Sequence, residues 1–162
     1  MIRFTTPEDT DALLALAEAT GLFEVDQIKD LSQMLEQHFN SEIASPGIWL
    51  TDYDGKPVGV AYVVPERMTH GTWNLYLLAI HPEHQKQGRG AALLRYIEQM
   101  LTERGERVLL VETSGADDFE YVRKFYHDSG YEKEARIRDF YIDGVDKVIF
   151  RKSLAGFGER NR

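Results

Sequence analysis

The chain has 162 residues, 43% of them hydrophobic and 28% charged, a net charge of −8, and no cysteine. That length fits one domain with a sizeable core, and the composition is ordinary for a folded globular protein. The acidity argues against nucleic acid as a partner, and the missing thiol excludes disulfides, a cysteine nucleophile and a cysteine metal site.

No apolar run approaches the length of a membrane helix, and Met1-Ile2-Arg3-Phe4 does not read as a signal peptide. A cytoplasmic protein with no membrane partner is expected. Ile2 to Thr5 suits a short strand. Thr6-Pro7-Glu8-Asp9 reads as a helix start, with Thr6 as N-cap, Pro7 at the first helical position and acids in the first turn. Leu13, Leu14, Leu16 and Ala17 give that helix an apolar face, and Gly21 breaks it. A second helix is expected over Asp26 to Phe39, with Ile28, Leu31, Leu35, His38 and Phe39 on one side. His38 has no partner motif around it and reads as a packed or rim histidine. Ile48 to Tyr53 and Val58 to Val64 read as strands around an Asp54-Gly55 turn.

Asn74 to Ile80 is a mostly apolar run with no breaker, which predicts a buried strand. His81-Pro82 stops it, because proline has no ladder N–H. Gln85 to Gly90 is a polar loop. Leu93, Leu94, Ile97, Met100 and Leu101 then mark the apolar face of a helix that Gly105 ends. Val108 to Val111 suits a strand buried on both faces. A helix opened by Asp117 or Asp118 carries Phe119, Val122, Phe125 and Tyr126, and Ser129-Gly130 ends it. Tyr131 to Arg138 and Lys147 to Lys152 read as two last strands joined by a loop with Asp143-Gly144. The tail 155–162 is polar and glycine-rich and is expected to be flexible. Hairpins beside a crossover helix give an α/β pattern with a mixed sheet. The five histidines form no ligand cluster, so no metal is expected.

Gly88 and Gly90 lack a Cβ, so the loop can bend sharply and leave its N–H groups uncovered. The helix after it adds unpaired donors and the positive end of its dipole. Together they suit a phosphate or pyrophosphate. A Walker A loop needs Gly-Lys-Ser/Thr, and Gly90 is followed by Ala91-Ala92. A dinucleotide fingerprint needs a third glycine where Leu93 stands. What remains is Gln85-Lys86-Gln87-Gly88-Arg89-Gly90 after a strand ending in Leu78-Ala79-Ile80. This resembles the pyrophosphate loop of the GNAT superfamily of N-acetyltransferases, whose pattern is Gln/Arg-x-x-Gly-x-Gly/Ala. Phe125-Tyr126-His127-Asp128-Ser129-Gly130-Tyr131 is similar to the family's Leu-Tyr-x-x-x-Gly-Phe segment. Arg136 to Tyr141 resembles the same region of the ribosomal-protein alanine acetyltransferase branch. The asparagine that the family often has seven residues before the tyrosine is replaced by Phe119.

The resemblance implies a GNAT fold over 1–154 as a single acetyltransferase domain. Its sheet is mixed and mostly antiparallel, splayed between the fourth and fifth strands and flanked by about four helices. It implies transfer from acetyl-CoA to a primary amine. Leu78, Ala79 and Ile80 would hold the pantetheine arm, and N–H groups of Gln85, Lys86, Gln87, Gly88, Arg89 and Gly90 the pyrophosphate. Lys86 and Arg89 either add charge there or are solvated loop cations. Tyr126 would be the general acid, or else a core aromatic. Glu112, at a strand end where open α/β sheets gather ligands, would be the base, directly or through a water. Otherwise it is a strand-exit carboxylate. With no cysteine, direct attack in a ternary complex is expected.

In the family, the acceptor's walls come from the first two helices with their linker and from the loop before the last strand. Those pieces hold Phe23, Glu24, Asp26, Asp139, Phe140, Tyr141, Asp143 and Asp146. Phe23, Glu24, Asp139 and Tyr141 are the candidate substrate residues, and a cationic acceptor is expected. A monomer or homodimer is expected. Two other readings stay open: a non-catalytic acyl-CoA-binding or sensor domain, and an interaction domain with a vestigial pocket.

Overall fold

The computed structural model describes residues 1–43 and 45–154; the tail 155–162 expected to be flexible lies outside the described residues. Seven strands form one sheet in the order β1-β2-β3-β4-β5-β7-β6. They are β1 (Ile2–Phe4), β2 (Ile48–Tyr53), β3 (Pro57–Pro65), β4 (Thr72–Ile80), β5 (Val108–Ser114), β6 (Glu132–Ile142) and β7 (Val145–Ser153). The helices are α1 (Thr10–Ala19), α2 (Val25–Asn40), α3 (Arg89–Glu103) and α4 (Glu120–Asp128). β4 runs parallel to β5, and the β1–β2, β2–β3, β5–β7 and β6–β7 pairs are antiparallel. Among the described residues no helix is long and apolar enough to cross a membrane.

The chain divides into two compact units, Met1–Val64 with Leu77–Tyr96, and Pro65–Tyr76 with the chain from Ile97 onward. In the first, Leu13, Leu16 and Ala17 of α1 and Leu31 and Leu35 of α2 pack with Trp49, Val60, Leu77 and Ala79. The spacing of these leucines puts them on one face of each helix. The helix start foreseen at Thr6 is present, with a 3-10 turn over Pro7–Asp9 leading into α1. Asp9 anchors it: its carboxylate accepts the Thr6 N–H at 2.9 Å and a two-pronged bond from Arg3 at 2.7 and 2.9 Å. Gly21 ends the region at φ +69°, a conformation L side chains rarely adopt. His38 packs edge-on against Phe39, and burial lowers its pKa, in line with a packing role. Leu35 is fully buried. Leu35→Ala should cost about 2–5 kcal/mol, read as a lower urea midpoint at unchanged slope.

In the second unit, strand alternation sorts the sheet into two faces. Leu109, Val111, Val148 and Phe150 are buried, and Tyr126 of α4 lies against Phe150 with ring centroids 5.9 Å apart. Residues of the other set, including Asn74, Leu110, Glu112 and Ile149, point the opposite way. The last two strands are longer than the sequence pattern suggests, and their turn is tighter. β6 continues past Arg138 because its pairing with β7 slips between Ile137 and Ile142. Asp139 takes up the irregularity at φ +53°. Its N–H donates to Asp146 Oδ1 at 3.0 Å, and its Oδ1 accepts the Gly144 N–H at 2.7 Å.

Candidate active site

The polar loop belongs to the first unit. Gln85 Nε2 donates to the Ile80 carbonyl at 3.0 Å, which ties the loop back to the strand it leaves. His81 N–H donates to the Val58 carbonyl at 2.8 Å, so the strand end is fixed as well. Lys86 and Gly88 both have positive φ, +60° and +80°. Left-handed residues of this kind bend the backbone sharply. The first bond of α3 is Ala92 N–H to Gly88 carbonyl at 3.0 Å. The N–H groups of residues 86–91 therefore precede the helical ladder, and they have no partner among the described residues. A Cβ built on Gly88 meets nothing within 4 Å. Unpaired N–H groups at the start of a helix are the kind of donors that an anion takes.

The two loop cations differ. Arg89 Nη1 lies 3.0 Å from Asp52 Oδ2, and its Nη2 lies 2.7 Å from Asp54 Oδ2. These carboxylates raise its pKa and neutralise its charge. Arg89 thus braces the loop against the β2–β3 turn, and its backbone N–H is what it offers an anion. Lys86 is exposed, with no ion pair among the described residues. Leu78 is half-buried, while Ala79 and Ile80 are buried. Among the described residues the parallel ladder of β4 with β5 runs from Thr72↔Val108 to Leu75↔Val111 and covers none of the three. The Ile80 carbonyl is already spent on Gln85.

Glu112 belongs to the second unit. Its Oε1 accepts from Asn74 Nδ2 at 2.8 Å, and its Oε2 lies 2.7 Å from Lys147 Nζ. The Lys147 side chain is only 12% exposed and lies over the Phe140 ring at 4.2 Å. Tyr141 is near: burial raises its pKa first, and the Glu112 charge adds to that. Asn74 is wholly buried, and its Nδ2 also donates to Glu66 Oε1 at 3.0 Å.

Tyr126 is 4% exposed and sits among Phe125, Tyr131 and Phe150. Burial pushes its phenol well above the usual tyrosine range. Its hydroxyl makes no hydrogen bond to a described residue. Phe150 pairs with Val111, so Tyr126 lies on the face opposite Glu112. The fold does not bring these two side chains together on one surface. Each can act only on its own side of the sheet.

The candidate substrate residues also separate. Tyr141 is at the Glu112 cluster. Asp139 is spent on the hairpin turn. Phe23 packs against the core of the first unit, and Glu24 is the exposed N-cap of α2, its N–H taken by Gln27. Sequence reasoning missed Asn74, Glu66 and Lys147. The signal for Asn74 was present: an amide inside Trp73-Asn74-Leu75 is a buried polar group that must find partners.

The model of the Acetyltransferase (GNAT) family matches residues 13–131. The chain belongs to the GNAT acetyltransferase family. The comparison with curated proteins gives no match. Among solved structures, the chain is similar to a Desulfovibrio desulfuricans protein assigned to the GNAT family. Identity is 30%, TM-score 0.90, and the alignment covers 96% of this chain and 99% of that one. It shares its fold with the ribosomal-protein-S18-alanine N-acetyltransferase of Escherichia coli, at 20% identity, TM-score 0.77, and coverage of 100% and 98%. It also shares it with a candidate acetyltransferase of Salmonella typhimurium solved with its cofactor acetyl-CoA, at 16% identity, TM-score 0.72, and coverage of 96% and 94%. The sheet with its β4–β5 parallel pair is the GNAT sheet, and the loop of residues 85–90 falls within the part of the chain that the family model matches.

Proposed function

We propose that this GNAT protein transfers an acetyl group from acetyl-CoA to a primary amine by direct attack in a ternary complex. The observation that carries this reading is the loop of residues 85–90, whose N–H groups from residue 86 on have no partner among the described residues and where a Cβ on Gly88 meets open space. Acetyl-CoA supplies the acetyl group as a thioester. The loop's backbone holds its pyrophosphate, and Leu78, Ala79 and Ile80 hold its arm. Tyr126, kept protonated by burial, gives its proton to the departing sulfur. Glu112 has both oxygens engaged, by Asn74 and by Lys147, so the amine's proton leaves through a water that Glu112 orients. The catalytic domain is the single stretch 1–154.

The test is free-thiol release from acetyl-CoA with a broad panel of amines. Binding of acetyl-CoA with no thiol release from any amine would favour a sensor domain, and no binding at all would end the reading. The acceptor is expected to be cationic, because Glu66 and Glu112 carry two negative charges against the one positive charge of Lys147, and Phe140 and Tyr141 stand beside them. Raising salt should raise KM for such an acceptor and change KM for acetyl-CoA much less, since attraction over a distance is screened. A neutral or acidic amine as best acceptor, with no salt response, would overturn this part.

A further inference from the structure

Asn74 carries an unmet demand. Both Nδ2 hydrogens are used, one on Glu66 Oε1 at 3.0 Å and one on Glu112 Oε1 at 2.8 Å. Turning the amide over would set its oxygen against two carboxylates, so its orientation is fixed. That leaves Oδ1 buried with no donor among the described residues. Buried polar atoms are nearly always paired, and one that is not calls for a reason.

The two carboxylates on this amide are not equivalent. Glu112 has Lys147 Nζ at 2.7 Å. Glu66, just after β3, has no cation beside it among the described residues. A proton placed on Glu112 would forfeit an ion pair. A proton placed on Glu66 would gain a partner. A carboxylic acid and a primary amide join through two hydrogen bonds: amide N–H to the acid's carbonyl oxygen, and acid O–H to the amide oxygen. The first already exists at 3.0 Å. The second would satisfy Oδ1.

We propose that Glu66 takes and holds the proton that the acceptor amine gives up, with Asn74 Oδ1 as partner of the acid so formed. This rests on the acetyl-transfer reading of the same site. One N–H bond of the ammonium breaks and its electron pair stays on nitrogen. One O–H bond forms on Glu66, so ammonium and carboxylate become neutral amine and neutral acid. Glu112 of β5 faces this amide, and Lys147 of β7 and Tyr141 of β6 stand beside Glu112. Glu112 keeps its ion pair and orients the water path.

Glu66→Gln is the test, because its amide N–H stands where the acid's O–H would be. The variant should keep or raise the melting temperature, keep its stabilisation by acetyl-CoA, and lose kcat by about 10²-fold with a smaller change in amine KM. A second measurement needs no acceptor. On acidification, the carboxylic-acid carbonyl band identified by its loss in Glu66→Gln should shift in Asn74→Leu, where both hydrogen bonds are gone. A Glu66→Gln protein that keeps kcat within about threefold, or loses stability, overturns the proposal, as does a band indifferent to Asn74. Failure of the acetyl-transfer reading looks different: the unaltered protein releases no thiol with any amine, and the infrared result alone then decides whether Glu66 and Asn74 form this pair.

Discussion

Gly88→Val should abolish the rise in melting temperature that acetyl-CoA gives the unaltered protein. A ligand at 100 times its Kd stabilises by about 2.7 kcal/mol through mass action, so the signal to be lost is large. The reason is local. The N–H groups of residues 86–91 have no partner among the described residues, and on the proposed reading a valine side chain at Gly88 would take up room that the phosphate needs. Valine at φ +80° is also strained, by roughly 1–2 kcal/mol for a left-handed L-residue. Strain alone would lower the melting temperature without touching the ligand response. Gly21→Val separates the two effects. Gly21 has φ +69° and nothing within 4 Å of its Cβ, but it lies between α1 and α2. That variant should melt lower and keep its full response to acetyl-CoA. An unchanged response in Gly88→Val would remove the loop from the binding site.

The cradle was legible in the sequence because it is made of backbone. Two glycines, a polar run and an apolar helix after a stopped strand dictate its shape through local rules alone. The left-handed turn at Lys86 was not legible, since nothing in a lysine announces a positive φ. The sequence left the Arg89 side chain open between a phosphate ligand and a solvated loop cation, and it is neither. Its partners Asp52 and Asp54 come from 37 and 35 residues earlier, and only the fold brings them there. The Glu112 cluster draws on β4, β5 and β7, so its membership depends on register. Asn74 opposes Leu110, and Lys147 opposes Ser114, two residues along from Glu112 on the same face. No single stretch of sequence contains that information. Strand alternation also decided that Tyr126 and Glu112 fall on opposite faces, which residue types alone could not tell.

The two buried tyrosines of the second unit predict opposite consequences for the same substitution. Tyr126 and Tyr131 have ring centroids 5.9 Å apart. Tyr131 donates its hydroxyl to Glu98 Oε2 at 2.7 Å, and Lys152 Nζ holds the other oxygen of Glu98 at 3.0 Å. Tyr131→Phe removes a hydrogen bond to a charged group, worth about 1.5–3 kcal/mol, and should lower stability while leaving kcat close to normal. The Tyr126 hydroxyl has no such partner among the described residues. Tyr126→Phe keeps the ring against Phe125, Tyr131 and Phe150, so stability should hold or rise slightly. What it removes is the proton that the proposed mechanism gives to the leaving sulfur. Burial holds that phenol protonated throughout the neutral range, the form that the proposed role of general acid requires. A departing thiolate, titrating at roughly 8.5, gains from protonation as its bond to carbon breaks. We therefore expect kcat to fall about 10²-fold in Tyr126→Phe, with KM for acetyl-CoA nearly unchanged, in steady-state thiol-release assays. If kcat holds while the melting temperature drops, Tyr126 is a packing residue like its neighbour, and the proton for the leaving sulfur comes from water.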